Sequence, residues 1–443
     1  MTESELAPIL ISLTTMLAAA HLLGYIAAKL RQPRFVGEIL AGVLLGPFVL
    51  GELAPDATRS LLGDPADPGD PTRLVLAFLS WLGLLLLMFI SGSEIRRPLA
   101  REQRRPTLWI LGIGTAVPFV IAFTIGAALQ TRELRGPNGG KIAFLVVLAT
   151  AAAVTSIPVI SRIFHDLKIM HTRFASLILG TAMLEDIALF AALAIATALA
   201  QPGGEVATGE VVTHIAVTVA YLLVGLLLAP KVLRSIVDQR WNVLARRAQV
   251  GYALVMMLAY TSVAAAVETN VVFGAFLAGF GLVGGFQGTQ REWFASALDA
   301  IGRFAFASFI PLYFVLVGTR LQLGAGFSII VLLAFLVGSS ALRGSFVALA
   351  SRLAGFGRRD ALDVAVSMNA RGGPGIVLAT VAFEAGIIAP RFFTALVITA
   401  ILTSQFAGWW LDRALRSRGE ILGEPVGGTA TPTPPGNPSA APT

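Results

Sequence analysis

The chain has no cysteine and little charge: Asp, Glu, Lys and Arg make up 13% of its 443 residues, where a soluble globular protein carries about 25%. The missing thiols exclude a disulfide scaffold, a thiol redox centre and any Cys-ligated metal. The missing charge excludes a surface built to face water. Leu74 to Ile90 and Ile142 to Ile160 contain no charged residue at all. Histidine is scarce too, and His21, His165, His171 and His214 show no metal-binding spacing. His165 and His171 are expected in a solvated loop. No GxxxxGK[ST] phosphate loop, HExxH or GxSxG occurs, so neither an enzyme nor a bound cofactor is expected.

What is present is apolar. Hydrophobic residues are 56% of the sequence and mean hydropathy is +0.78, so lipid is the solvent for most of the chain. The net charge of +7 would suit a nucleic acid, but the basic residues lie in short loops between apolar runs, and no nucleic-acid partner is expected. A spanning helix needs about 20 apolar residues. By that measure the sequence predicts an all-α membrane protein of about 13 transmembrane helices, at 6–29, 35–51, 74–93, 107–130, 142–161, 174–200, 210–230, 248–267, 271–287, 304–319, 325–351, 361–385 and 392–412. Residues 292–303 are expected as an interfacial helix before the tenth span. The acidic start, Met1 to Glu5, lacks the positive charge of a secretory leader, so the first span is expected to stay in the membrane.

Loops on the cytoplasmic side carry the excess of Lys and Arg. With the N-terminus outside and the C-terminus inside, 24 of the 33 basic residues fall in inner loops and seven in outer ones. Arg343 and Arg371 remain, inside spans. The Pro, Thr, Gly and Ala composition from Glu420 cannot build a core, so residues 420–443 are expected as a disordered cytoplasmic tail following a membrane domain at 1–419.

Charges in spans are costly, about 2.5 to 3.5 kcal/mol each on insertion scales, and therefore mark function. Glu185 and Asp186 sit side by side near the middle of span six. Adjacent helical residues point about 100° apart, so one can face an aqueous cavity while the other pairs with a buried cation, for which Arg343 is the natural choice. An acid that is neutral when protonated and binds cations when ionised is the minimal device for exchanging a proton against a metal ion. Glu38, Glu94, Glu268, Asp363 and Glu384 lie nearer span ends, where they are expected to reach the interface.

Span five holds Ala153-Val154-Thr155-Ser156-Ile157-Pro158, and span twelve holds Asn369-Ala370-Arg371-Gly372-Gly373-Pro374-Gly375. Pro and Gly at these places predict two helices broken near mid-membrane. The offset of seven spans, an odd number, predicts inverted repeats. Thr155 and Ser156 offer hydroxyls that could join Asp186 around a monovalent cation. Arg371 is expected to compensate the half-helix dipoles, with Asn369 beside it.

Arg31-Gln32-Pro33 followed by Gly37-Glu38-Ile39-Leu40-Ala41-Gly42-Val43-Leu44-Leu45-Gly46-Pro47 resembles the opening signature of the monovalent cation:proton antiporter-2 family, which includes NapA-type and Kef-type transporters. Thr155-Ser156, the Glu185-Asp186 pair, Gly274-Ala275-Phe276-Leu277-Ala278-Gly279 and Pro311 to Gly318 follow in the family's order. The resemblance implies a thirteen-helix sodium/proton-antiporter fold, a homodimer, and a core domain moving against a dimerisation domain. Na⁺ or K⁺ and H⁺ would be its substrates, and Asp186 its ion- and proton-binding carboxylate. Glu185 stands where NapA-type members have Asp and Kef-type members Gln. Arg343 stands close to where electrogenic members have Lys. The nucleotide-binding C-terminal domain of Kef-type members is not expected. Two other readings of the residues stay open: a Na⁺-coupled symporter of an organic anion on the same scaffold, and a transport-inactive membrane sensor.

Overall fold

The computed structural model describes residues 3–30, 32–94, 101–170, 172–200, 208–237, 239, 242–285, 289–324, 326–422 and 424–425. Arg31 of the opening motif and the expected tail from 426 onward lie outside these residues, as do the side chains of Glu94 and His165 and all of His171.

In hydrocarbon no water is on hand for backbone N–H and C=O groups, so the apolar runs close their hydrogen bonds within themselves as helices. In chain order these are α1 (Glu3–Lys29), α2 (Arg34–Leu45), α3 (Pro71–Glu94), α4 (Arg104–Trp109) and α5 (Val117–Ala128). A π-helical stretch, Ile110–Ala116, joins the last two. There follow α6 (Lys141–Ala153), α7 (Ile157–Asp166), α8 (Arg173–Ala198), α9 (Thr208–Leu223), α10 (Ala229–Val237), α11 (Gln249–Ala266), α12 (Val271–Gly285), α13 (Thr289–Ala307) and α14 (Phe309–Thr319). The last four are α15 (Ile329–Leu353), α16 (Arg358–Ser367), α17 (Gly372–Glu384) and α18 (Pro390–Arg418). Thr172 and Ser328 cap α8 and α15 with their hydroxyls, and Gly419 ends α18 in the left-handed region at φ 68°.

Among the described residues, nine helices are long and apolar enough to cross a membrane, and four shorter apolar helices, Lys141–Ala153, Ala216–Leu228, Val271–Val283 and Gly372–Glu384, fill the remaining expected places. Two of the short ones are halves of broken spans. α6 stops at Ala153 and α7 begins at Ile157; α16 stops at Ser367 and α17 begins at Gly372. The expected interfacial helix at 292–303 is instead part of α13, which meets α14 at an irregular Ser308 (φ −132°, ψ −78°). Just past α18, Glu420–Ile421 pairs antiparallel with Glu424–Pro425.

The helices sort into two bundles. α1 to α3 pack with α9 to α14, while α4 to α8 pack with α15 to α18. The second bundle thus consists of two triads, each an unbroken span, a broken span and another unbroken span. Without a hydrophobic driving force in lipid, the first bundle is held by close backbone approach. A Cβ on Gly42 of α2 would lie 1.9 Å from the carbonyl oxygen of Val315 on α14, and one on Gly318 would lie 2.1 Å from that of Ile39.

Candidate ion-binding site

The two breaks meet inside the second bundle. The Ser156 amide donates to the Ala370 carbonyl at 2.7 Å, and the Thr155 hydroxyl donates to the Met368 carbonyl at 2.6 Å. Each break exposes one negative helix end, at Ala153 and Met368, and one positive end, at Ile157 and Gly372. Neighbouring side chains satisfy the orphan amides: Thr403 accepts from the Arg371 amide and Ser404 from that of Gly372. Gly372 itself has φ 32°, and a Cβ there would come within 2.7 Å of Ser156 Oγ, so only glycine fits the crossing.

Arg343, fully buried on α15, reaches into this crossing. Its Nε donates to Met368 O at 2.8 Å, Nη1 to Ala153 O, and Nη2 to Thr155 Oγ1 and to Glu185 Oε2, the last at 2.7 Å. One guanidinium therefore binds both negative half-helix ends and one acid of the pair. Dipole compensation, expected of Arg371, belongs to Arg343 in the structure. The physical reason is position: Arg371 precedes α17 at its positive end, where a cation gains nothing from the dipole. Arg371 is buried beside the Phe335 ring, 5.3 Å from its centroid, and donates to Ser339 Oγ (2.7 Å) and Asn369 Oδ1 (3.3 Å). Asn369 in turn donates to Ser340 O.

The second oxygen of Glu185 accepts from Thr115, within the π-helical stretch. The sequence does not single out Thr115. Its only signal there is a hydroxyl in an otherwise apolar span, a common and uninformative feature. Widened π turns re-aim side chains and recur at functional sites.

Asp186 is fully buried. A cavity of about 210 Å³ opens between α7 and α8, lined by Ile157, Ser161, Met170, Leu179 and Met183 among others. Leu179 and Met183 stand seven and three residues before Asp186, on the same face of α8. A second cavity, about 290 Å³, lies at the seam of the bundles, with Val159, Ser161, Gly373 and Pro374 on one wall and Phe35, Glu38 and Phe314 on the other. Both lie toward the loops at 30–34 and 167–173. At the opposite end the seam is closed: Tyr313 donates to Thr380 (3.0 Å) and Arg320 pairs with Glu384.

Two of the acids expected at the interface are not there. Asp363 is 1% exposed and held by Arg418 at 2.7 Å and by the Trp410 indole at 3.0 Å; Glu38 is 8% exposed and faces the seam cavity. Both stand within one or two turns of a helix start, where sequence distance from a loop looks the same for an acid turned inward as for one turned out. Glu268 and Glu384 are exposed.

The sequence matches the family described as sodium/hydrogen exchanger, transmembrane, over residues 16–417. It is 26% identical over 409 residues, 91% of this chain and 96% of the relative, to a protein of Synechocystis named Na⁺/H⁺ antiporter NhaS4. It is 25% identical over 391 residues, 88% of this chain and 92% of the relative, to the Na⁺/H⁺-K⁺ antiporter GerN of Bacillus cereus. The fold is that of the sodium proton antiporter MjNhaP1 of Methanocaldococcus jannaschii, with a TM-score of 0.62 at 17% identity, covering 95% of this chain and all of that one.

Proposed function

The chain belongs to the transmembrane sodium/hydrogen exchanger family, and from that membership we propose how it exchanges a monovalent cation, Na⁺ or K⁺, for H⁺. It is a multi-pass membrane transporter and not an enzyme. Asp186 is the carrier: ionised, it binds the cation with the Ser156 hydroxyl; protonated, it is neutral and releases it. One observation carries this reading. Of two adjacent buried acids, Glu185 is committed to Arg343 at 2.7 Å, while Asp186 lies on the helix face that lines the cavity. Thr155, which accepts from Arg343 and donates to Met368 here, becomes a cation ligand as the crossing rearranges.

Two cavities on one side and a closed seam on the other support an inward-facing state, with the N-terminus outside, the C-terminus in the cytoplasm and the loops at 30–34 and 167–173 cytoplasmic. Residues 1–419 form the antiporter domain and 420–443 the tail. The second bundle, carrying Asp186, moves against the first, through which the chain pairs as a homodimer. Arg side chains stay charged where Lys can give up a proton. With Arg rather than Lys facing Glu185, the pair supplies no second proton from its cation, one H⁺ crosses per cation, and exchange is electroneutral.

The test is proton movement in acid-loaded proteoliposomes on adding Na⁺, K⁺ or Li⁺, with membrane potential clamped or free. Cation-dependent flux that is lost in Asp186→Asn and indifferent to potential is the expected result. Flux that follows the potential would overturn the stoichiometry, and a fully active Asp186→Asn the carrier assignment.

A further inference from the structure

A further cavity lies away from the ion site. A groove of about 800 Å³ runs along the outside of the second bundle between α15, α16 and α18. Its walls are almost wholly apolar, with Val337, Ala341 and Ala348 on α15, Leu362 on α16 and Phe406 on α18. Val337 to Ala348 is twelve residues, about 16 Å of helix from first to last, which is half the roughly 30 Å thickness of a bilayer's hydrocarbon core. The groove is as long as one leaflet is deep.

Each wall leads to an arginine at the same end. On α15, Ala341, Ser345 and Ala348 are followed on the same face by Arg352. On α16, Leu362 is preceded one turn earlier by Arg358. On α18, Leu402, Phe406 and Trp409 are followed on the same face by Arg413. All three arginines and Trp409 are exposed. Arg352 also donates to Phe356 O at 2.8 Å. Asp412 beside Arg413 is itself paired with Arg416. An apolar trough one leaflet deep, ending in three cationic side chains and an interfacial Trp, has the shape and charge of a phospholipid with an anionic headgroup.

We propose that this groove binds an anionic phospholipid, with an acyl chain along α15 and α18 and its headgroup phosphate among Arg352, Arg358 and Arg413. The far end of the groove touches Asn369 and Thr403, which accept from the Arg371 side chain and backbone amide, and Ser340, whose carbonyl accepts from Asn369. A seated acyl chain therefore braces the crossing of the broken helices from the lipid side. The site is fixed by these residues whichever face of the membrane is cytoplasmic, and its test needs no transport.

The full-length protein, stripped of lipid in a neutral detergent, is titrated with phosphatidylglycerol, phosphatidylcholine and inorganic phosphate, and bound species are counted by native mass spectrometry. Phosphatidylglycerol should bind at least ten-fold more tightly than phosphatidylcholine and raise the unfolding temperature, whereas phosphate alone should do neither. About one cationic side chain is worth a five-fold preference at a membrane surface, so R352Q/R358Q/R413Q should erase the preference while leaving phosphatidylcholine binding unchanged. A Cβ on Gly344, in the groove wall, meets open space; G344F should fold and lose both lipids. R246Q/R247Q, with two surface arginines removed elsewhere, should behave as the parent. Equal binding of the two lipids, a preference that survives the triple variant, binding of phosphate alone, or lipid retention in G344F would each overturn the proposal.

Discussion

The two bundles solve opposite problems in the same solvent. In the first, glycines let α2 meet α14, and α3 meet α12, backbone to backbone: a Cβ on Gly279 would lie 2.0 Å from Phe89 O, and one on Gly92 2.1 Å from Phe276 O. Of the six charged side chains buried among the described residues, Glu38 alone belongs to it. The second bundle buries Glu185, Asp186, Arg343, Asp363 and Arg371 and interrupts two of its spans. Close van der Waals packing makes a rigid support with little that titrates. Broken backbone and buried charge make a unit that lipid would reject unless every group found a partner, and such a unit can afford a replaceable one: the transported ion.

That contrast is sharpened most by removing the carboxylate that makes the second bundle a carrier. Asp186→Asn keeps size and shape and gives up the charge, so exchange should fall at least a hundred-fold in the proteoliposome assay while the unfolding temperature stays within a few degrees. Removing the fixed cation should act on stability instead. Arg343→Gln leaves Glu185 buried without its ion partner, the Ala153 carbonyl without its guanidinium donor, and the Met368 carbonyl with Thr155 alone. Breaking a buried pair from one side costs about 3–5 kcal/mol. Adding Glu185→Gln to Arg343→Gln should recover much of that loss, because no uncompensated charge remains; thermal unfolding of the single and double variants decides it.

Much of this second bundle was legible in the sequence because it breaks the rules of its surroundings. Pro158 and Gly372-Gly373-Pro374 stand out in apolar runs, as do Glu185-Asp186 and Arg343, and the structure brings the breaks and the Glu185–Arg343 pair together. What was not legible depends on which way a side chain turns. Arg371 and Arg343 look alike in sequence, but only one ends up at the negative helix ends. Thr115 matters because a π turn aims it at Glu185, and neither the turn nor the aim leaves a pattern. Asp363 reads like any acid near a helix start until Arg418, at the far end of α18, closes on it. Which helix joins which of the two bundles was hidden, since an apolar face turned to lipid and one packed on protein carry no contrasting periodicity.

The first bundle should respond to crowding where the second responds to charge. Gly42→Ala forces a methyl group against Val315 O, and overpacking of this kind costs about 1–3 kcal/mol. Its unfolding temperature should drop, while the cation concentration at half-maximal exchange and the order of preference among Na⁺, K⁺ and Li⁺ should match the parent. A changed ion preference in Gly42→Ala would break the division of labour between support and carrier.

The smallest expected effect lies on the seam where the bundles meet. Arg320 on the first and Glu384 on the second form an ion pair with each side chain 30% exposed, and partly solvated pairs of this sort contribute about 0.2–1 kcal/mol. In an inward-facing state this pair exists only while the outer seam is closed, so its free energy enters the inward-to-outward equilibrium directly. Glu384→Gln should shift that equilibrium outward by no more than about five-fold, since 1.4 kcal/mol corresponds to ten-fold. Because the natural chain has no cysteine, a single Cys at Thr380, behind the pair, reports the shift cleanly. Its labelling by a membrane-impermeant maleimide from the outside should quicken a few-fold with Glu384→Gln, and less so at high salt, where the parent pair is already weakened. Labelling that does not change would mean that the remaining packing between the bundles, not the ion pair, keeps the outer seam shut.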